Sequence, residues 1–244
     1  MEIAEKKQRI DLQVRREIKY ILSNTDLGKI RTLLKGSCNQ VVYNKEVSVV
    51  RSIYFDDWRL TMCQANLDGI GRRKKVRIRW YDSVYPLSKV FFEIKWRNNW
   101  VTGKRRLEIG SKTGLQDITY KDLISQLKDI LFDEYKEMLF CFPEPVIIVE
   151  YKREHFVSVD EKYRLTLDYD MVFYDQMGVQ KPYLESPVPM LDMAILECKT
   201  AQTEANNLKS ILYPFTPCVS RFSKYVTGCN MLGLINSGIG INLY

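Results

Sequence analysis

The sequence predicts an α+β protein built on an antiparallel β-barrel of about eight strands with flanking helices. Most of the chain alternates apolar and polar residues with a period of two, which is typical of half-buried strands. Helical patterns are few and fall at ends and crossings, and the 244 residues contain no repeat or obvious linker. A composition that is 45% hydrophobic supports a large core. We therefore predict a single barrel-like domain over residues 1–244.

The strands follow one another closely along the chain. The alternation predicts eight of them, over residues 9–20, 41–56, 72–81, 89–97, 101–109, 146–156, 164–173 and 190–198. A ninth, shorter strand is predicted near residues 179–184. The pair Asp56–Asp57 is interpreted as a strand end or turn, and "DGIG" as the turn into the third strand.

Four helices are predicted between and after these strands. The first, over residues 25–36, begins at Thr25 or Asp26 and ends at Gly36. The second covers residues 119–140 and has an apolar stripe, followed by the sequence "PEP". The stripe consists of Leu123, Leu127, Ile130, Leu131 and Tyr135. Two shorter helices are predicted over residues 203–214 and 220–232.

Positive charge is concentrated in one segment of the chain. The whole protein has a formal net charge of +7 and a pI near 9.0, which favours an anionic partner. The segment from Arg72 to Arg106 contains twelve Lys or Arg residues and only two acids. It is therefore more basic than the protein as a whole.

Alternation separates this segment into two faces. Arg73, Lys75, Arg77 and Arg79 lie on one face of a strand, while Val76, Ile78 and Trp80 lie on the other. The next two strands repeat the pattern. One face of the strand over 89–97 carries Glu93, Lys95 and Arg97. One face of the strand over 101–109 carries Lys104, Arg106 and Glu108. A solvated outer face would normally mix charge signs, because like charges on neighbouring strands destabilise a sheet. A charged barrel interior that binds an anion explains the pattern better.

Other strands, and the start of the last helix, add further cations and isolated carboxylates to the residues that could bind an anion. The groups that share a face or a helix start are Arg15, Glu17 and Lys19; Tyr151, Arg153 and His155; Thr166, Asp168 and Asp170; Glu197 and Lys199; and Arg221 and Lys224 with Ser223. Arg supplies forked donors, Lys supplies point charges, and one or two carboxylates can hold Mg²⁺ or Mn²⁺ beside phosphates. The inventory suits a polyphosphate chain with a divalent metal.

Several other classes are disfavoured. The sequence has no signal peptide and no apolar stretch long enough to cross a membrane, so we expect a cytoplasmic protein without membrane insertion. The six scattered cysteines are expected to be reduced core thiols. His155 is the sole histidine, which argues against a serine-type triad or a histidine metal site. No nucleic-acid partner is expected, because the aromatic residues alternate away from the charged face.

Nine short motifs in order resemble the VTC domain, the polyphosphate polymerase domain of the vacuolar transporter chaperone family. They are "RREIKY", "SIYFDD", "KVRIRWY", "FFEIKWR", "GKRR", "VEYKREHF", "RLTLDYD", "LECKT" and "SRFSKY". The resemblance covers about 90% of the chain, from Arg16 to roughly Gly228. The family is a branch of the triphosphate tunnel metalloenzymes, in the CYTH-like superfamily. The resemblance implies an eight-stranded tunnel and metal-dependent transfer of the ATP γ-phosphate to polyphosphate.

The resemblance also implies roles for individual residues. The catalytic cations would be Arg77, Arg79, Lys95, Arg153 and Lys224. Substrate would be bound by Lys19, Lys104, Arg106, Tyr151, Lys199, Arg221 and Ser223. Mn²⁺ or Mg²⁺ would be held by Glu197, with Glu17 and Glu93 as weaker candidates. The expected ligands are ATP and inorganic polyphosphate or triphosphate.

The sequence departs from the wider superfamily at one position and leaves alternatives open. Arg15 stands where the superfamily has the first glutamate of its E-x-E-x-K signature, which weakens hydrolase or cyclase interpretations. An inorganic tripolyphosphatase and a non-catalytic polyphosphate-binding module remain as alternatives. The sequence shows neither an SPX domain nor a membrane segment, so a membrane-protein partner would have to supply any channel.

Overall fold

The computed structural model describes residues 2–3, 16–86, 89–99, 101–110, 114–200 and 219–235. The strands within these ranges form a single antiparallel sheet. They are β1 (Glu2–Ile3), β2 (Arg16–Ser23), β3 (Cys38–Gln40), β4 (Ser48–Asp56), β5 (Arg72–Tyr81), β6 (Lys89–Asn98), β7 (Val101–Gly110), β8 (Glu144–Ser158), β9 (Tyr163–Asp175), β10 (Val188–Met190), β11 (Met193–Thr200) and β12 (Val219–Ser220). The helices are α1 (Leu27–Ser37), α2 (Thr61–Leu67), α3 (Tyr120–Ile130), α4 (Asp133–Cys141) and α5 (Lys224–Met231).

Eight long strands form the centre of the sheet. The order is β1-β7-β6-β5-β4-β8-β9-β11-β2-β12, and the short strands β3 and β10 pair with β8 and β9. Within the described residues no ladder joins β2 to β7, so the sheet is not closed by hydrogen bonds and a complete barrel is not confirmed. The α+β class and the antiparallel sheet with flanking helices are confirmed.

The sheet is nevertheless strongly curved. Lys95 on β6 reaches Glu17 on β2, with Nζ–Oε distances of 2.9 and 3.0 Å, although these strands lie far apart in the sheet order. Lys224 at the start of α5 likewise reaches Asp168 on β9, at 2.6 Å. One face of the sheet is therefore concave, and its side chains meet across the enclosed space.

Two hydrophobic clusters cover the convex face. Helices α3 and α4 pack on β4 to β7, where Ile78, Trp80, Phe92 and Ile94 are almost fully buried. Helix α1 packs on β2, β9 and β11 through Ile30 and Leu34. The apolar alternate residues of the basic segment thus face the helices, as the sequence predicts.

A third cluster fills one end of the concave side. Tyr225 and Cys229 of α5 and Cys63 of α2 pack with Phe173 and Ile147, which project from β9 and β8. Gly228 of α5 permits this approach, because an added β-carbon would lie 2.6 Å from the Phe173 ring. The apolar end leaves the charged side chains to occupy the remainder of the concave face.

Most of the predicted strands are confirmed, with shifted ends. The strand predicted near 179–184 is wrong, since the chain there is irregular between β9 and β10. The region 41–47 is also not a strand. The predicted strand at 190–198 corresponds to β11, which runs from Met193 to Thr200, after the short β10. Residues 9–15 lie outside the described residues.

The helix predictions need more correction. The single helix predicted over 119–140 is two helices, because Asp133 adopts a positive φ of 45° and the chain is extended at Leu131 and Phe132. No side chain caps α1, and Gly36 lies inside this helix rather than at its end. Helix α2 was not predicted, and the helix predicted over 203–214 lies outside the described residues.

Four of the six cysteines are confirmed as buried free thiols, namely Cys38, Cys63, Cys198 and Cys229. Cys141 is free but exposed, so its prediction as a core residue is wrong. Cys218 is outside the described residues. In the described part of the chain, no helix is long and apolar enough to span a membrane.

A β-bulge interrupts the alternation of β9. Glu150 pairs with Val172 and Lys152 with Tyr169, so Asp170 and Met171 together oppose Tyr151. Asp170 has a φ of 49° and is exposed, where it pairs with Lys152. The sequence placed Asp170 on the same face as Asp168, and the extra residue in the strand is the reason that this does not hold.

Candidate functional site

The concave face carries rows of cations on three neighbouring strands. Lys75, Lys95 and Lys104 occupy aligned positions on β5, β6 and β7, and Arg77, Glu93 and Arg106 occupy the next row. Their apolar neighbours point toward α3 and α4. The two-residue period of the strands is thus what brings these charges together.

Glu93 is the acidic centre of this wall. Its fully buried carboxylate accepts hydrogen bonds from Arg77 at 2.6 and 2.8 Å and from Lys104 at 3.1 Å. Arg106 lies 3.5 Å away and Arg79 3.9 Å. Burial raises the pKa of Glu93, but Arg77 and Arg79 outweigh it and hold the pKa well below its usual range. Glu93 is therefore ionised and fixes the orientation of the surrounding cations.

Two carboxylates and two lysines form a second group on β2 and β11. Lys19 is directly opposite Glu197, and Glu17 is directly opposite Lys199. Lys19 lies 3.2 Å from Glu17 and 3.8 Å from Glu197, and Lys199 forms a close ion pair with Glu197. Burial raises the pKa of Glu197, while Lys199 and Lys19 lower it well below its usual range. Both carboxylates in this group are ionised.

Asp168 on β9 binds the third group of cations. Arg153 forms a two-pronged ion pair with it, with both distances 2.6 Å, and Lys224 donates at 2.6 Å. Burial raises the pKa of Asp168, but Arg153 and Lys224 lower it to about 2. The aspartate therefore joins strand β8, strand β9 and helix α5.

Two polar groups on the concave face have fewer hydrogen-bond or ion-pair partners than they could make. The ammonium group of Lys75 donates to the Ser223 hydroxyl at 2.7 Å, and no carboxylate of the described residues pairs with it. Burial, Lys19 and Lys95 lower its pKa well below the usual value. The buried Thr166 hydroxyl has no hydrogen-bond partner among the described residues. Both groups are available to a ligand on this face.

The structure brings most of the predicted site residues onto this face. Those that line it are Lys19, Arg77, Arg79, Lys95, Lys104, Arg106, Tyr151, Arg153, Lys199, Ser223 and Lys224, together with Glu17, Glu93 and Glu197. Arg79 is held by Ser52 at 3.0 Å and by the Tyr151 hydroxyl at 3.1 Å. Arg221 is different, because it is exposed and precedes α5 rather than lying on the helix.

Asp168, Lys75 and Thr166 lie on the predicted charged faces, but the sequence assigned them no role in the site. Their same-face positions were visible in the alternation, which could have identified them. Lys75 begins a cation row, and Asp168 is the only carboxylate within hydrogen-bond distance of both Arg153 and Lys224 among the described residues. The ion pair between Asp168 and Lys224 has no local sequence signal, because the two residues are 56 positions apart.

The predicted metal ligands do not lie in one place. Glu17 and Glu197 are neighbours that share Lys19, whereas Glu93 is enclosed by cations on another part of the face. Among the described residues no group of three or more His, Cys, Asp or Glu side chains could hold a metal ion by itself. Glu17 and Glu197 fit a Mg²⁺ or Mn²⁺ ion only if phosphate and water oxygens complete its coordination, which is how Mg²⁺ is commonly bound.

The described residues thus form a curved antiparallel sheet with a basic concave face and a few paired carboxylates. Residues 14–233 match the family described as the VTC domain, and the chain belongs to this family. The resemblance found in the sequence motifs is thereby confirmed, and membership relates the chain to polyphosphate and triphosphate. No curated protein sequence matches the chain.

Three solved structures resemble the chain over most of its length, at low sequence identity. The PH1819 protein of Pyrococcus horikoshii is 15% identical, with a TM-score of 0.47, and the match covers 87% of this chain and 97% of that one. A putative adenylate cyclase of Vibrio parahaemolyticus is 12% identical, with a TM-score of 0.47 and coverage of 91% and 98%. A chain of the Schizosaccharomyces pombe Mediator head module is 9% identical, with a TM-score of 0.48 and coverage of 84% and 96%.

Proposed function

We propose that this protein is a metal-dependent phosphotransferase of the polyphosphate polymerase type. It transfers the γ-phosphate of ATP to a polyphosphate chain bound on the concave basic face. The observation that carries the proposal is a surplus of positive charge around four ionised carboxylates. The cations on this face are Lys19, Lys75, Arg77, Arg79, Lys95, Lys104, Arg106, Arg153, Lys199 and Lys224.

The surplus requires an anion. Cations in aligned positions on neighbouring strands repel one another, and buried charges without partners are costly. The four carboxylates, Glu17, Glu93, Asp168 and Glu197, are each already paired with cations. A linear chain of phosphates distributes negative charge along the face and so matches its shape better than a single anion does.

The reaction requires positioning more than side-chain chemistry. The bond between the γ-phosphorus and the oxygen that bridges it to the β-phosphate breaks, and ADP leaves with that oxygen. A new bond forms between the γ-phosphorus and a terminal oxygen of the acceptor. This oxygen is already ionised, so no side chain has to remove a proton, and alignment of the two phosphates supplies much of the rate. Arg77, Arg79 and Lys95 would bind the phosphate oxygens and stabilise the transferred group.

Glu197 and Glu17 would hold the divalent metal together with phosphate oxygens. Mg²⁺ or Mn²⁺, when bound, neutralises charge on those oxygens. Lys19 and Lys199 contact the same carboxylates in the structure. One or both of these lysines would contact phosphate when Glu197 and Glu17 hold the metal.

The test is synthesis of polyphosphate from ATP by the purified protein with Mn²⁺ or Mg²⁺, followed on a gel. Lys104 and Arg105 provide a matched pair, because they are adjacent on β7 but lie on opposite faces, where Arg105 pairs with Glu134. We expect Lys104→Gln to slow synthesis at least about tenfold. Arg105→Gln should change it less than about twofold. The absence of product at all metal and primer concentrations would refute a polymerase, and orthophosphate release from tripolyphosphate without chain growth would indicate a tripolyphosphatase.

A non-catalytic polyphosphate-binding module is a second candidate. The observation in its favour is that Lys199 and Lys19 already neutralise Glu197, the principal metal candidate. Tight binding of tripolyphosphate without turnover, unaffected by Glu197→Ala, would support this candidate over the enzyme.

A further inference from the structure

A group of three arginines lies at the rim of the concave face. It consists of Arg73 on β5, Arg97 on β6 and Arg221, which directly follows β12. We name it the rim cluster. Arg73 and Arg97 have no role in the function proposed above.

The three side chains are close together. Arg73 and Arg97 are directly opposite on neighbouring antiparallel strands, so their β-carbons are about 5 Å apart. Burial, Arg97 and Arg221 all lower the pKa of Arg73, which places Arg221 within electrostatic range of it. Arg221 also lies over the turn before β5, since a β-carbon at Gly69 would be 3.9 Å from its Nη1. The guanidinium groups thus form one positive patch.

The rim cluster lacks the carboxylates that neutralise the interior. Arg73 donates to the Ile70 carbonyl at 2.8 Å, and Arg97 donates to the Asn99 carbonyl at 2.6 Å. These bonds orient the two guanidinium groups but do not neutralise them. Within the described residues none of the three arginines forms an ion pair with Asp or Glu. Because like charges in opposite positions destabilise a sheet, an anion bound here would recover folding free energy.

Lys75 connects the rim cluster to the interior. It follows Arg73 on the same face of β5, and Arg77 and Arg79 continue the row inward. Exposure falls along the row, since Arg73 and Lys75 are half-buried whereas Arg77 is 9% and Arg79 5% exposed. The seven residues from Arg73 to Arg79 extend about 20 Å along the strand, which is longer than a triphosphate. The row therefore has room for a longer linear polyanion.

We propose that the rim cluster binds the part of a linear polyphosphate chain that extends beyond the phosphates held by Arg77, Arg79 and Lys95. The protein accordingly prefers long polyphosphate to tripolyphosphate. This inference rests on the proposed function, because that function places the reacting end of the polyphosphate chain at Arg77, Arg79 and Lys95.

The test measures affinities for tripolyphosphate and for a long polyphosphate of defined length by calorimetry. The rim variant is Arg73→Gln with Arg97→Gln. The control removes the same charge from the opposite face of β5, as Arg72→Gln with Lys74→Gln. Arg72 is exposed, and Lys74 forms only a surface ion pair with Glu134. Thermal unfolding establishes that both variants are folded.

The rim variant should lose at least about tenfold in affinity for the long chain and less than about twofold for tripolyphosphate. The control should lose less than about twofold for either ligand. Equal losses for the two ligands, or no loss for the long chain, would overturn the inference while the proposed function stands. A rim cluster that binds a single-stranded oligonucleotide more tightly than long polyphosphate would also overturn it. If the wild-type protein binds neither phosphate chain, the proposed function fails and this inference fails with it.

Discussion

At the scale of single residues, Asp168 explains how two buried cations are held in place. It is fully buried and forms ion pairs with both Arg153 and Lys224. Its pKa of about 2 in the folded state lies below the ordinary value of 3.8. A lowered carboxylate pKa means that the ion pairs stabilise the fold above about pH 4, and that this contribution is lost as the pH falls toward 2.

We expect Asp168→Asn to lower the free energy of unfolding at pH 7 by about 3–5 kcal/mol, because two buried cations lose their partner. The difference between the wild type and this variant should shrink by about 2 kcal/mol between pH 4 and pH 2. Urea unfolding at a series of pH values measures both quantities.

Asp170→Asn is the matched control for this prediction. Asp170 lies two residues further along β9 but is exposed, and its partner Lys152 is also exposed. The control should cost less than about 1 kcal/mol. A difference between wild type and Asp168→Asn that does not change with pH would contradict the assignment of a lowered pKa to Asp168.

Single residues also show what the sequence reveals directly. The two-residue period predicted the face of Arg77, Lys95 and Lys104 correctly, because the direction of a strand side chain is a local property. The same rule failed at Asp170, where a bulge adds one residue to the strand. Pairings such as Lys95 with Glu17 join residues 78 positions apart, and only the curvature of the sheet brings them together.

At the scale of elements, helix α5 positions Ser223 and Lys224 on the concave face. Ser223 caps the helix by accepting a hydrogen bond from the Val226 amide, and it also accepts from Lys75. The helix is fixed by Tyr225, whose hydroxyl donates to Asp56 at 2.7 Å. The same carboxylate accepts from the Met62 and Cys63 amides of α2, at 3.0 Å each. Asp56 thus connects α2, α5 and the end of β4.

We expect Tyr225→Phe to destabilise the protein by about 1–3 kcal/mol, because a buried carboxylate loses a hydrogen bond. Since α5 carries Lys224 and Ser223, the affinity for tripolyphosphate should fall as well. Thermal unfolding and calorimetry measure the two effects.

The matched control for Tyr225→Phe is Asp57→Ala. Asp57 accepts hydrogen bonds from the Arg59 and Thr61 amides beside α2. This substitution should cost about 1 kcal/mol and leave the affinity unchanged. An unchanged affinity in a less stable Tyr225→Phe variant would show that Tyr225 has no part in positioning the site.

Strands were predicted more accurately than helices, because alternation is a local signal whereas helix breaks and short helices depend on particular backbone and capping contacts. Regular strands with strong alternation, such as β5, were predicted to the residue, whereas the apolar stripe over 119–140 concealed a break. That break depends on the backbone of Asp133, which has a left-handed conformation that the stripe does not encode. Helix α2 has only seven residues and depends on Asp56 and Asp57 for its first amides, so it lacks a recognisable amphipathic period.

At the scale of the whole molecule, the curved sheet separates two environments. Its convex face is mainly apolar and covered by α1, α3 and α4, while its concave face is charged except at the end filled by α5 and α2. The sequence predicted this division and the eight long strands, but not the short strands β1, β3, β10 and β12. It could not predict whether the outermost long strands, β2 and β7, pair with each other, because closure depends on curvature summed over all the strands. The described residues show side-chain bridges across the concavity but no ladder between these two strands.

The central claim is that the concave face binds a linear phosphate chain. A crystal structure of the wild-type protein with tripolyphosphate and Mn²⁺ tests it most directly. We expect phosphate oxygens within hydrogen-bond distance of Arg77, Arg79 and Lys95, with the metal beside Glu197. A tripolyphosphate bound only on the convex face, or a concave face in which these three side chains contact no phosphate, would contradict the claim.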